Sequence, residues 1–273
     1  MAHADSSFDP HLREISGAVV CVAVGGGPCQ DVDDVGTLCM LNALADAGEV
    51  ILLAIMVNTV PSVCTAAVSV LQHYYGRDDV PIGAYKGESG YNVTHPFVSL
   101  LANNWPSPIR SKAQVPDATE LYRRVLAAQD DRTVVIASVG MLSNLASLLS
   151  SRRDAHSSLN GRDLFARKVR LLGMMAGKYP AGRECNAIKS ARTFAHVLEK
   201  LPPSVPTFFL GYEAGASVLT GGRLTNCTGA ANPCRQACAC GLRHSKTFSR
   251  ARGPGPWALD PGPWLPLPRC PHS

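Results

Sequence analysis

Short apolar runs of strand length alternate with helix-like stretches between residues 18 and 210, and nothing else in the chain restricts its fold as much. The strands predicted are Ala18–Val24, Ile51–Val57, Ile82–Ala84, Thr133–Ser138, Val169–Gly173 and Thr207–Leu210. Helices are predicted near Val35–Ala47, Ser62–Tyr75, Ala118–Gln129, Leu142–Ser150 and Ala187–Leu201. Repetition of strand and helix in this order builds a Rossmann-like α/β fold, a mainly parallel central sheet with helices on both faces. Ligands of such sheets bind beyond the carboxyl ends of the strands, so chemistry is expected from the loops that follow them. An Asp cluster follows the first strand, Asn58 the second, and Ser138-Val139-Gly140 a later one. Three separate segments therefore point to one rim.

The chain has 273 residues, 46% of them hydrophobic, enough for a substantial core in one domain. Its net charge of +5 is uneven, because residues 233–273 hold six of the 26 Lys and Arg but one of the 21 Asp and Glu. Residues 1–232 are thus neutral, at 20 against 20, which argues against a nucleic-acid partner, since that needs basic residues clustered on the folded domain. Residues 1–10 lack a positive segment followed by an apolar one, so a cytoplasmic location is expected. No apolar run approaches the roughly 18 residues of a membrane span, and no membrane partner is expected. Cys21, Cys39 and Cys64 lie in apolar segments, where a thiol acts as a small hydrophobe, and are read as reduced core residues.

Composition changes near Cys234. Residues 233–273 contain eight of the 20 prolines, four of the ten cysteines and two of the three tryptophans, without helical or strand periodicity. The domain is therefore drawn over 1–232, and 233–273 is expected to be a disordered basic tail. Cys234, Cys238 and Cys240 lack the second paired unit of a structural zinc site, so zinc is not expected there.

Asp31, Asp33 and Asp34 place three carboxylates within four residues at the junction of the first strand and helix. One helix cap needs one Asp, and mutual repulsion favours a cation or a polyhydroxylated ligand that gathers the group. Gly25-Gly-Gly27 just before it lacks the spaced glycines or the Gly-Lys-Ser/Thr of phosphate loops and reads as a tight turn. Asn58, Asn144, Glu184 and Asn186 have turn or cap roles as their simplest reading, and His73, His95 and His196 have no aligned partner.

Taken in order, these segments resemble the inosine/uridine-preferring nucleoside hydrolases over most of residues 17–235. The motifs are Asp31-Val-Asp33-Asp34-Val-Gly, Ile51-Leu-Leu-Ala-Ile-Met-Val-Asn58, Ala137-Ser-Val-Gly140-Met-Leu-Ser-Asn144, Gly173-Met-Met through Glu184-Cys-Asn186, Val205-Pro-Thr-Phe-Phe-Leu-Gly-Tyr-Glu-Ala-Gly and Asn232-Pro-Cys-Arg-Gln. The resemblance implies calcium-dependent hydrolysis of the N-glycosidic bond of ribonucleosides, a small-molecule nucleoside as partner, and homo-oligomers. It implies Asp34 and the Val139 carbonyl as calcium ligands, with Asp31 in place of an earlier family Asp that falls on Gly25-Gly26-Gly27. Asp33 would bind ribose hydroxyls, Asn58, Glu184 and Asn186 would orient the ribose, and Asp31 or Asp33 would take the proton of the attacking water. Measured against the family, the domain is C-terminally incomplete.

Overall fold

The computed structural model describes residues 17–22, 32–88, 92, 94–216, 218 and 221–240. Six strands, β1 (Gly17–Val22), β2 (Leu52–Val57), β3 (Ile82–Ala84), β4 (Val134–Ser138), β5 (Val169–Met175) and β6 (Thr207–Leu210), form one sheet in the order β3-β2-β1-β4-β5-β6. Every pairing is parallel. The helices are α1 (Asp33–Asp46), α2 (Ser62–Tyr74), α3 (Pro96–Asn104), α4 (Ala118–Ala128), α5 (Ser143–Ser150), α6 (Gly161–Lys168), α7 (Cys185–Ile188), α8 (Ala191–Lys200), α9 (Tyr212–Gly215), α10 (Gly222–Cys227) and α11 (residues 233–240).

Strands covered on both faces need apolar residues at every position, which explains why β2 reads as an unbroken run and not as an alternation. Its odd positions Ile55 and Val57 join a core with α1, α2 and α3, while Ala54 and Met56 join a second core with α4, α5, α6 and α8. The helices divide between the faces by connection. The chain starts mid-sheet at β1, winds to the β3 edge with α1 and α2 on one face, crosses back through α4, and winds to the β6 edge with α5, α6 and α8 on the other. Its winding reverses between β1 and β4, and their carboxyl ends open a crevice at that switch point.

Two expectations are corrected. Residues 233–240, assigned by composition to the tail, are helical, and Cys234, Ala237 and Cys238 are buried, the first two in the α1–α3 core. Burial there stabilises the segment whatever its proline and cysteine content, so the fold extends at least to Cys240; residues 241–273 lie outside the described residues. The single helix expected over Ala187–Leu201 is instead α7 and α8, broken where Ser190 leaves helical geometry at φ −137°, ψ 56°. At the far edge, β6 leaves Phe208 and Leu210 exposed.

Candidate active site

Hydrogen bonds tie together the loops that follow the carboxyl ends of β2, β4 and β5. Asn58, just after β2, donates through Nδ2 to the Met141 carbonyl at 2.6 Å, spanning the position of β1. Asn144 at the start of α5 returns the contact, its Nδ2 donating to the Val57 carbonyl at 3.1 Å. Asn186 reaches back from α7 and donates to the carbonyls of Met175 at 3.0 Å and Val139 at 3.4 Å. Asn58, Val139 and Asn186 thus belong to one connected rim. Asn58, Asn144 and Ser138 are each about 1% exposed, deep for polar side chains, whose burial costs free energy wherever a polar atom is left without a partner.

Glu184 is placed at the same rim by capping. Its Oε1 accepts from the Asn186 N–H at 2.7 Å, and its Oε2 accepts from the N–H groups of Ala187 at 3.1 Å and Gly177 at 3.0 Å. A carboxylate has about four lone-pair positions, so these bonds leave one for a ligand. Gly177 presents its N–H from φ +84°, a conformation that other residues rarely adopt. Glu184 therefore clamps the loop after β5 to the first turn of α7.

The two described members of the Asp cluster diverge. Asp34 is buried, 9% exposed, at the first turn of α1; Asp33 is exposed, and its Oδ1 accepts the Asp34 N–H at 3.0 Å. Successive residues of a helix are about 100° apart, so neighbouring carboxylates cannot both face inward. Asp34 lies near the start of α2: burial pushes the Cys64 thiol up to about 11, and the charge of Asp34 adds to the rise. Asp31 lies outside the described residues.

Among the described residues, Asn58 Oδ1 and Ser138 Oγ are buried with no hydrogen-bond partner. They stand at the carboxyl ends of β2 and β4, the strands on either side of β1. Ser138 enters the candidate set here; its signal in the sequence was a small polar residue ending an apolar strand. Oxygen donors of this kind, one carboxylate with carbonyl, amide and hydroxyl groups, suit a hard cation or a sugar. Calcium takes roughly six to eight oxygens, however, and among the described residues no three His, Cys, Asp or Glu side chains are grouped to hold a metal. A complete metal shell needs donors beyond the described residues. Of the histidines, His73 pairs with Asp78 at 2.8 Å, His196 with Ser150 at 2.7 Å, and His95 stacks on Phe97. No described helix is long and apolar enough to cross a membrane.

No protein-family model and no curated protein matches the sequence. Solved structures do match in fold. The type III effector protein XopQ, complexed with adenosine diphosphate ribose, aligns with a TM-score of 0.70 at 14% identity, over 88% of this chain and 70% of that one. The purine-preferring ribonucleoside hydrolase from Gardnerella vaginalis aligns with 0.61 at 14% identity, over 86% and 74%. A plant nucleoside hydrolase gives 0.55 at 16% identity, over 86% and 72%. The fold is that of nucleoside hydrolases, in agreement with the resemblance carried by the sequence motifs.

Proposed function

We propose that the rim binds the ribose of a nucleoside and that the chain is a nucleoside N-ribohydrolase. The observation that carries this reading is that Asn58 Oδ1 and Ser138 Oγ, at the ends of the strands that flank β1, are buried without a hydrogen-bond partner, on a chain whose described Asp cluster buries the carboxylate of Asp34. Sugar hydroxyls both donate and accept, so they can satisfy an amide oxygen and a serine hydroxyl together. Asn186, held against the Met175 and Val139 carbonyls, and Glu184, with one acceptor position left, fix the wall on the β5 side. Held there, the anomeric carbon meets a positioned water, and fixed geometry makes that attack effectively unimolecular.

Loss of the base leaves a sugar with oxocarbenium character, which nearby negative charge stabilises. Asp34 supplies that charge from a buried position, and Asp31 would accept the water proton. Calcium is part of the proposal: Asp34, Asp31 and the Val139 carbonyl would hold it, and the ion supplies an acidified water and a grip on ribose hydroxyls.

The test is release of base from inosine and uridine by the purified chain, with millimolar calcium and again with a chelator. Turnover that falls at least tenfold with chelator, and at least a hundredfold in Asp34→Asn, is expected. A folded protein inert toward both nucleosides in calcium rejects the hydrolase. The single buried carboxylate of the described Asp cluster favours a second reading, ribosyl binding without hydrolysis, and titration calorimetry with adenosine diphosphate ribose measures it directly.

A further inference from the structure

The two edges of the sheet are treated differently. At one, β3 is buried throughout, and the Ala84 N–H donates outward to the Pro116 carbonyl at 3.1 Å. At the other, β6 has β5 on one side and no strand on its outer side among the described residues. Its pairing with β5 decides which backbone groups are left over. The Leu172 N–H donates to the Pro206 carbonyl at 3.0 Å and the Ala176 N–H to the Leu210 carbonyl at 3.1 Å, so the even-numbered residues turn their peptide groups toward β5. Alternation along a strand then points the N–H and C=O of Thr207 and Phe209 away from the sheet.

Side chains on this edge are apolar and bare. Ala137 pairs with Gly173 and Gly173 with Phe208, which sets Phe208 and Leu210 on the face that α1 and α2 cover farther along the sheet. That cover ends before β6: Leu171, Met175, Phe208 and Leu210 belong to neither core, and Phe208 is 62% and Leu210 58% exposed. Phe209, on the opposite face, and Tyr212, just past the strand, are each 38% exposed. The ring of Tyr179, 48% exposed, lies beside Gly211.

We propose that β6 is the interface of a homodimer, in which this edge pairs antiparallel with the same edge of a second copy. A two-fold axis at Phe208 brings Thr207 opposite the partner subunit's Phe209, and each such pair exchanges both of its outward N–H and C=O groups. Phe208 then faces the partner subunit's Phe208, where cross-strand side chains stand closest. Strand edges are ordinarily blunted by a charge, a proline or a bulge; residues 205–212 carry no charged side chain, Pro206 stands outside the strand, and the β5–β6 register has no shift. The missing charge favours a second copy as occupant, because a two-fold contact sets every charge near its axis against a like charge. Aromatic side chains bury about 150–250 Å² each, so at their exposures Phe208, Phe209, Tyr179 and Tyr212, with Leu210, offer roughly 450 Å² per copy. Two copies bring roughly 900 Å² of apolar side chain before the backbone is counted, close to the ~1,000 Å² at which an interface becomes specific. The dimer does not depend on the ribose-binding reading.

The test is sedimentation velocity of the purified full-length chain from about 2 µM to about 200 µM, with amide exchange read at both ends of that range. Expected is a passage from monomer to dimer, with protection gained at the Thr207 and Phe209 amides and unchanged at Phe208 and Leu210, which already bond to β5. Phe208→Lys, at an exposed position, should weaken the dimer at least about tenfold and leave the melting temperature of the dilute chain unchanged. Met40→Lys, on α1 at 59% exposure, should leave the dimer intact. A monomer across the whole range overturns the proposal, and Thr207 and Phe209 amides protected in that monomer would show that the chain covers its own edge. A dimer indifferent to Phe208→Lys overturns it as well, and so does an open series of larger species, since an edge joined across a two-fold is used up.

Discussion

Arg123 is 2% exposed, and an unpaired cation at that depth is untenable, so its surroundings are built to receive it. Nε and Nη2 donate in a fork to the two Asp154 oxygens at 2.7 and 2.9 Å, Nη1 donates to Ser151 Oγ at 3.0 Å, and Nη2 also serves the Ser157 and Leu159 carbonyls. One guanidinium thereby organises the 151–160 connection between α5 and α6. Arg123→Ala leaves those acceptors without a donor and should cost about 3–5 kcal/mol in denaturant unfolding; Arg123→Lys should recover little, since an ammonium cannot fork. The Arg123 hydrogen bond pulls the Asp154 carboxyl down to about 2, so Asp154 stabilises the fold fully above its unfolded value near 4 and loses that contribution as pH falls from about 4 to 2. Asp154 is 33% exposed, so solvent screening reduces this term to roughly 1 kcal/mol. Unfolding free energies at pH 7 and pH 3 should differ by about half of that, roughly 0.5 kcal/mol, less in Asp154→Asn. The same scale shows what the Asp cluster concealed. Three adjacent carboxylates mark a site in the sequence, but the helical turn of about 100° per residue decides that Asp34 enters the interior while Asp33 meets water, and composition carries no information on which phase the helix takes.

Among elements, α7 depends on one side chain. Its four residues are too few to hold a helix by their own hydrogen bonds, and Glu184 compensates by accepting from two of its first N–H groups and from Gly177 across the loop. Glu184→Ala should lower amide-exchange protection at Gly177, Asn186 and Ala187 together, at a cost of about 1–3 kcal/mol; unchanged protection at Gly177 would show that the clamp does not span the loop. A Gln there keeps one carbonyl oxygen and should fall between. The strands were legible because both faces of the sheet are covered, which turns each buried strand into an uninterrupted apolar run. Helix α3 was missed although Pro96 at its first turn and the buried Phe97, Val98, Leu101 and Ala102 at helical spacing announce it. The break between α7 and α8 has no comparable signal, since Ser190 departs from helical geometry without a proline or glycine to force it.

At the scale of the whole molecule, the double winding puts the ends of the parallel strands on one rim, so the candidate site was drawn from strand order alone, whereas the extent of the fold was not legible there. Proline and cysteine counts drew its limit at residue 232. The chain in fact starts a helix there: Asn232 Oδ1 accepts from the N–H groups of Cys234 at 2.8 Å and Arg235 at 3.2 Å, and Pro233 takes the first helical position, where its missing N–H costs nothing. Those start signals were present in the sequence and were absorbed into a compositional average. Helix α11 then buries Cys234, Ala237 and Cys238, and the segment before it is fastened by Trp105, whose Nε1 donates to the Ala231 carbonyl at 3.1 Å, and by Arg235, which donates to the Thr228 carbonyl at 2.6 Å. Two truncations separate the compositional boundary from the structural one. A chain ending at Asn232 loses three buried side chains and opens the core around Cys39 and Tyr75, whereas a chain ending at Cys240 keeps them. Large-to-small core losses of this sort amount to about 3–6 kcal/mol, or a melting temperature lower by roughly 10 °C in a chain of this size. Equal melting temperatures for the two truncations would mean that α11 contributes nothing to the fold.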